Sequence, residues 1–208
     1  MSENSDISFS RQRHILAQFQ SGNTEIFSEL YNFYYEPILK YMARRVGNVH
    51  IAYDLTSEVF LKAFDALKTF RWQEVSLKSW LYRIANNKLK NYYRDQRVII
   101  HPFENVPEEF HGIAHDALDE LREAEEVFER CEQSQKVNEY VAKLKPQYQQ
   151  AVSLRYSAGL SYKEIAEAMQ ITDSAVKSLL HRAHKKLRVM GLSATLIIFI
   201  LFFLSYFL

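Results

Sequence analysis

A chain of 208 residues that is 48% hydrophobic, 25% charged and 14% aromatic, with five glycines and four prolines, is neither collagen-like, low-complexity nor wholly disordered. One cysteine, Cys131, excludes an intramolecular disulfide framework and a cysteine-based zinc cage. The net charge of +1 conceals segregation: residues 1–97 carry 14 basic against 10 acidic groups, residues 98–135 carry 2 against 11, and residues 136–208 carry 10 against 4. Two basic blocks, which offer sites for phosphate, thus flank an acidic block that repels it. So few breakers, and no clear runs of alternating apolar and polar residues, predict an all-α chain. The polar start, Met1 to Asp6, has no apolar core of a secretory signal, and a cytoplasmic location is the expectation for the soluble part.

The predicted elements follow in chain order. Residues 8–20 form a short helix that Ser21-Gly22-Asn23 breaks, and Thr24 can cap the next one. That second helix carries Phe27, Leu30, Tyr31, Tyr34, Ile38, Leu39 and Met42 at spacings of three and four, a stripe for a core; Pro37 can kink it and Gly47-Asn48 ends it. A third helix runs from about Ile51 to Phe70, with Leu55, Val59, Phe60, Ala63, Phe64 and Leu67 inward. A fourth runs from about Ser76 to Arg97. The stretch after it holds Pro102, Pro107, Gly112 and scattered acids, and reads as a flexible acidic linker. Val137, Tyr140, Val141 and Leu144 open a second helical block, Lys145-Pro146 closes their helix, and another covers Gln147–Ala158 before a turn at Gly159.

Residues Ser161 to Glu164 have the form of a capping box, Ser at the cap and Glu three residues on. The box opens a short helix to Met169; Gln170-Ile171 makes a turn, and Thr172 caps a second helix from Asp173 to about Arg188. Ser174, Lys177, Ser178, His181, Arg182 and Lys185 point outward while Val176, Leu179, Leu180 and Ala183 pack back. Two capped helices about a tight turn, the second one basic, fit a helix-turn-helix whose second helix enters the major groove. Ser174, Lys177 and Ser178 are then candidates for base edges, and Arg182, Lys185 and Lys186 for phosphates. The plainer reading is an amphipathic hairpin with a solvated basic face.

In the fourth helix, Arg83, Asn87, Lys90, Arg94 and Arg97 recur at spacings of four, three, four and three and share one face. Trp72, Trp80, Tyr82, Tyr92 and Tyr93 surround it, although Trp80 and Tyr92 read more readily as core. Cations beside exposed rings suit single-stranded DNA, whose unstacked bases stack on aromatic side chains. No Gly-rich phosphate loop is present, and the paired acids lie in solvated runs, so the chain reads as a binding protein and not an enzyme. His111 and His115 stand one helical turn apart without a third ligand in register, so no metal or cofactor is expected. After Arg188, 20 uncharged residues remain, a length that spans about 30 Å as a helix. With Lys185, Lys186 and Arg188 before it, this tail reads as a single C-terminal transmembrane pass with its basic flank in the cytoplasm.

These residues together resemble bacterial sigma factors of the extracytoplasmic-function (ECF) group. Residues 54–64 look like region 2.2, residues 77–94 like regions 2.3 and 2.4, and residues 154–169 with 176–183 like region 4. The resemblance implies an all-α fold of a sigma region 2 bundle (1–97) and a region 4 helix-turn-helix (133–188). An acidic linker (98–132) joins them, and a transmembrane tail (189–208) follows. It implies that Asp54, Glu58, Val59, Phe60 and Lys62 bind core RNA polymerase. Trp80, Arg83, Asn87, Lys90, Asn91, Arg94 and Arg97 would melt and read the −10 element of promoter DNA. Thr172, Ser174, Lys177, Ser178, His181, Arg182 and Lys185 would read the −35 element. An anti-sigma factor is the further partner implied. The competing readings are a membrane-anchored helix-turn-helix regulator without polymerase affinity and a helical scaffold with no DNA role.

Overall fold

The computed structural model describes residues 7–72, 76–96 and 139–190, and every regular element among them is helical. In chain order these are α1 (Phe9–Gln20), α2 (Phe27–Val46), α3 (Val49–Leu67), α4 (Leu77–Gln96), α5 (Pro146–Val152), α6 (Tyr162–Met169) and α7 (Asp173–Val189). A 3-10 turn, Thr24–Ile26, precedes α2, and a π-helical turn, Ser153–Ser157, continues α5.

Local chemistry sets the boundaries. The Ser8 side chain accepts the Arg11 N–H and caps α1. Thr24 does not cap α2 as expected, because it is taken up in the 3-10 turn; α2 begins after Ile26 with no side-chain cap. Pro37 sits inside α2, which runs through it without ending. Gly47 adopts the left-handed conformation (φ 65°), where a side chain would be strained, and its N–H closes α2 on the Ala43 carbonyl at 2.9 Å. Asn48 follows at once and caps α3 by accepting the Ile51 N–H at 3.1 Å. One residue therefore ends a helix and the next begins another.

Helices α2, α3 and α4 form a bundle, and α1 lies against its α3 side. Leu30, Ile38, Met42, Val59, Ala63, Leu67, Leu77, Leu81 and Ala85 are fully shielded in its core. Each buried leucine there contributes about 1.5–3 kcal/mol. Polar anchors fix α1: Gln20 donates to the carbonyls of Leu67 (3.1 Å) and Phe70 (2.7 Å), and Gln12 accepts the Leu77 N–H (2.8 Å). In the second block α5 and α6 pack on α7 around Ala151, Leu154, Leu160, Ile165, Val176, Leu180 and Ala183. Buried Gln149 seals the entry to α5 by donating to the carbonyls of Ala142 (2.8 Å) and Leu144 (2.9 Å). The two blocks meet where α6 packs on α4.

The all-α expectation holds, but the expected transmembrane helix does not. No described helix is long and apolar enough to cross a membrane. Helix α7 stops at Val189, its last turn carries Lys186 and Arg188, and Met190 departs from helical geometry. Residues 191–208, the linker expected over 98–132, Arg97, His111, His115 and Cys131 lie outside the described residues. Among the described residues no cluster of His, Cys, Asp and Glu could hold a metal ion.

Candidate nucleic-acid interface

The helix-turn-helix is built by three local devices. Both halves of the capping box are formed: Ser161 Oγ accepts the Glu164 N–H (3.3 Å), and Glu164 Oε2 accepts the Ser161 N–H (2.9 Å). Gln170 takes the left-handed conformation (φ 58°) that turns the chain, and the Ile171 N–H closes on the Ala166 carbonyl at 3.0 Å. Thr172 Oγ1 then accepts the Ala175 N–H (3.2 Å) and starts α7. Val176, Leu180, Ala183 and Leu187 fall on the buried side of α7, while Thr172, Ser174, Lys177, Ser178, His181, Arg182 and Lys185 are all exposed. Every residue proposed for the −35 element thus shares one open, basic face. Thr172→Ala, which removes the cap, is expected to cost about 1 kcal/mol and to fray the first turn of α7. Thermal unfolding and amide exchange at residues 173–176 check this.

Behind that face, Tyr156 Oη and His184 Nε2 lie 2.8 Å apart, tying the π-helical turn to α7. Burial lowers the His184 pKa, and the neighbouring His181 and Arg188 lower it further, so the neutral ring can accept the Tyr156 hydroxyl.

On α4 the cationic stripe is divided. Asn87, Lys90, Asn91 and Arg94 are exposed; Arg83 is half-buried and its Nη1 donates to Glu167 Oε1 of α6 at 3.0 Å. Trp80 is 4% exposed with its ring 5.0 Å from Phe70, so its ring belongs to the core and offers no face to a base. On α3, Asp54, Glu58 and Lys62 are exposed, whereas Val59 and Phe60 are buried. Glu58 is held by Lys88 of α4 at 2.7 Å. Leu61 and Tyr53, absent from the expected set, stand out from this α3 face at 67% and 44% exposure.

Of the residues that join α4 to α6, Arg83 and Glu164 were singled out in the sequence for other roles, whereas Ser79, Asn86 and Glu167 were not. Ser76 Oγ accepts the Ser79 N–H (3.1 Å), which caps α4, and donates to Glu164 Oε1 (2.9 Å). Buried Asn86 accepts the Tyr41 hydroxyl (2.6 Å) and donates to the Ala168 carbonyl (3.5 Å). Nearby, Arg45 of α2 donates to Gln149 Oε1 (3.0 Å), and the Tyr93 hydroxyl donates to the Arg45 carbonyl. Arg44 and Arg45 are buried, and Arg44 Nη2 and Arg45 Nε have no hydrogen-bond partner among the described residues. Burial lowers the Arg44 pKa to about 10, which still leaves it charged at neutral pH. The only advance signal for this joint was the spacing of three, four and three that links Ser76, Ser79, Arg83 and Asn86.

Glu164 serves both the capping box and the joint. Burial by itself would raise its pKa, but hydrogen bonds from the Ser161 N–H and hydroxyl and the Ser76 hydroxyl, with Lys78 nearby, turn the net shift downward. A carboxyl whose folded pKa lies below its unfolded one stabilises the fold above the ordinary carboxylate range and loses that contribution as pH falls through its folded value. Acid is therefore expected to loosen α6 below pH 4.5, and the effect is expected to be shallower in Glu164→Gln. Amide exchange across α6 as a function of pH tests it.

Comparison with known proteins matches these two blocks separately. Residues 30–98 match Sigma-70 region 2 and residues 134–187 match Sigma-70, region 4. RNA polymerase sigma factor YlaC of Bacillus subtilis is 34% identical over 160 residues, which cover 77% of this chain and 88% of the relative. The RNA polymerase sigma-H factor of Pseudomonas aeruginosa is 31% identical over 177 residues, covering 84% and 91%. The ECF RNA polymerase sigma-E factor of Escherichia coli is 30% identical over 176 residues, covering 82% and 89%. The solved structure of CnrH in complex with the cytosolic domain of CnrY shares the fold, with a TM-score of 0.58 at 22% identity over 86% of this chain and 96% of that one. An exposed basic helix-turn-helix, a cationic helix on a separate bundle and the match of both blocks in this order lead to one assignment: the chain belongs to the sigma-70 family of RNA polymerase sigma factors, in its ECF group.

Proposed function

We propose that α7 reads the −35 element in the major groove and that the open part of the α4 stripe holds the melted −10 strand. The chain itself acts in promoter-specific transcription initiation, as its two sigma regions and its relatives require. The division of α7 into a buried apolar side and an exposed side of Ser174, Lys177, Ser178, His181, Arg182 and Lys185 carries this reading. Such a face can dock by phosphate contacts and present its first turn to base edges. On α4, Asn87, Lys90, Asn91 and Arg94 can follow a single-stranded backbone. Melting then draws on binding energy: a flipped base costs a few kcal/mol, and contacts with protein offset it.

The exposed α3 face of Asp54, Glu58, Leu61 and Lys62 is our candidate for the polymerase contact, since it sets an apolar residue among charges on a rigid helix. A protein partner that holds the factor inactive is a further reading, after the CnrH complex with the cytosolic domain of CnrY. The site of action is the cytoplasm, where polymerase meets the chromosome. Run-off transcription with core polymerase and a library of promoter fragments tests the whole. Specific start sites are expected, and their absence would overturn the assignment of function. Lys90→Ala with Arg94→Ala is expected to impair promoter opening more than duplex binding, as read by permanganate footprinting and gel shift.

A further inference from the structure

The end of α2 buries positive charge with no acid beside it. Between Glu36 and Asp54 the sequence holds Lys40, Arg44, Arg45 and His50 and neither Asp nor Glu. Lys40 pairs with Glu36, and His50 is exposed at the start of α3. Arg44 and Arg45 are instead buried, at 8% and 4% exposure. No ion pair among the described residues reaches either of them. Arg45 Nη1 donates to the neutral Gln149 Oε1 of α5, and the Arg45 carbonyl accepts the Tyr93 hydroxyl of α4. Arg44 lies beside Tyr82 of α4, and its Nη2 is buried with no acceptor, as is Arg45 Nε. The carbonyls at the end of α2 offset part of this charge as partial dipoles. They leave two orphaned N–H groups on adjacent guanidiniums, and a buried guanidinium is ordinarily held by a full counter-charge. Burial already draws the Arg44 pKa down to about 10, the direction of a cation that lacks one.

We propose that Arg44 and Arg45 form a binding site for a small free oxyanion of the phosphate class, set between the end of α2 and helices α4 and α5. The sign of the charge excludes a metal cation. The chemistry of the donors selects the ligand: a guanidinium presents its N–H groups as a planar fork that matches two oxygens of a phosphate. Burial selects its size. Arg45 is held by α5 on one side and α4 on the other, so a single tetrahedral ion suits the site better than the backbone of a polynucleotide. The site is thus separate from the exposed Lys90 and Arg94 on α4, and it does not depend on the reading of that helix as a strand-binding surface. A bound oxyanion would supply the acceptor that Nη2 and Nε lack and would stabilise the folded chain in proportion to its concentration.

The test is calorimetric titration of the full chain with inorganic phosphate at constant ionic strength, with thermal unfolding alongside. The wild type is expected to bind one phosphate and to gain about 5 °C in unfolding midpoint at a hundredfold excess over Kd. Arg44→Met, which keeps the apolar stem and removes the charge, is expected to lose phosphate affinity at least about tenfold while unfolding no earlier than the wild type without phosphate. Should that variant fail to fold, Arg44→Lys keeps the charge without the fork and is expected to weaken phosphate about tenfold. Lys90→Ala with Arg94→Ala is expected to leave phosphate affinity unchanged, and a 20-nucleotide single strand is expected not to displace the ion. Absence of phosphate binding in the wild type would overturn the proposal. So would binding that survives both Arg44 substitutions, binding that is lost with Lys90 and Arg94, or displacement by the strand.

Discussion

Trp80→Ala is expected to destabilise the protein by about 3–5 kcal/mol, the usual cost of deleting a large buried aromatic side chain. Trp80 is 4% exposed, its ring lies 5.0 Å from Phe70, and Leu77, Leu81 and Ala85 of the same helix are fully buried. The hole left behind would lie between α4 and the end of α3, beside the Phe70 ring. Urea unfolding should show a lower midpoint with an unchanged slope. The result discriminates between two roles. A ring that stacks on a base would lose DNA opening with stability intact; a ring that holds the bundle together loses both at once. A Trp80 variant of unchanged stability would refute the core placement.

Lys177→Ala and Arg182→Ala are expected to separate sequence reading from simple attraction. Both side chains are exposed on α7, Lys177 in its second turn and Arg182 further along. If Lys177 reaches a base edge, its loss removes about 1–3 kcal/mol of discrimination at one position of the −35 element. If Arg182 holds a phosphate, its loss weakens binding to all sequences and lowers the salt slope by about 1. Neither should move the unfolding midpoint, because neither side chain is buried. Binding to the −35 duplex and to a scrambled duplex, each across a salt series, gives both quantities.

Much of the second block was legible from adjacent residues. Ser161 with Glu164, Thr172 and the alternation of apolar and basic positions through α7 are local signals, and each formed where its spacing put it. The α2–α3 corner was legible for the same reason, since Gly47 and Asn48 act on their own backbone. The start of α2 was not, because a 3-10 turn takes the same residue types as a cap and Thr24 fell inside it. The inward side of α3 was read correctly at Val59 and Phe60, yet the same residues were also carried over as contact candidates from family likeness. Both side chains are buried within the chain itself. The α4–α6 joint was hidden for a deeper reason. Ser76 and Glu164 are separated by 88 positions, and each already has a complete local role as a helix cap. Nothing in either neighbourhood announces the second bond.

The tight α2–α3 corner sets an order of assembly. A hairpin closed by Gly47 and Asn48 brings α2 and α3 together at the smallest loop-closure entropy in the described chain. Contacts so near in sequence form early, and pairings across more than 80 positions form late. A ribosome-bound chain could therefore complete its first bundle before α6 has been synthesised. The nascent factor would pass through a stage in which α4 is finished and nothing yet covers the face that α6 later takes.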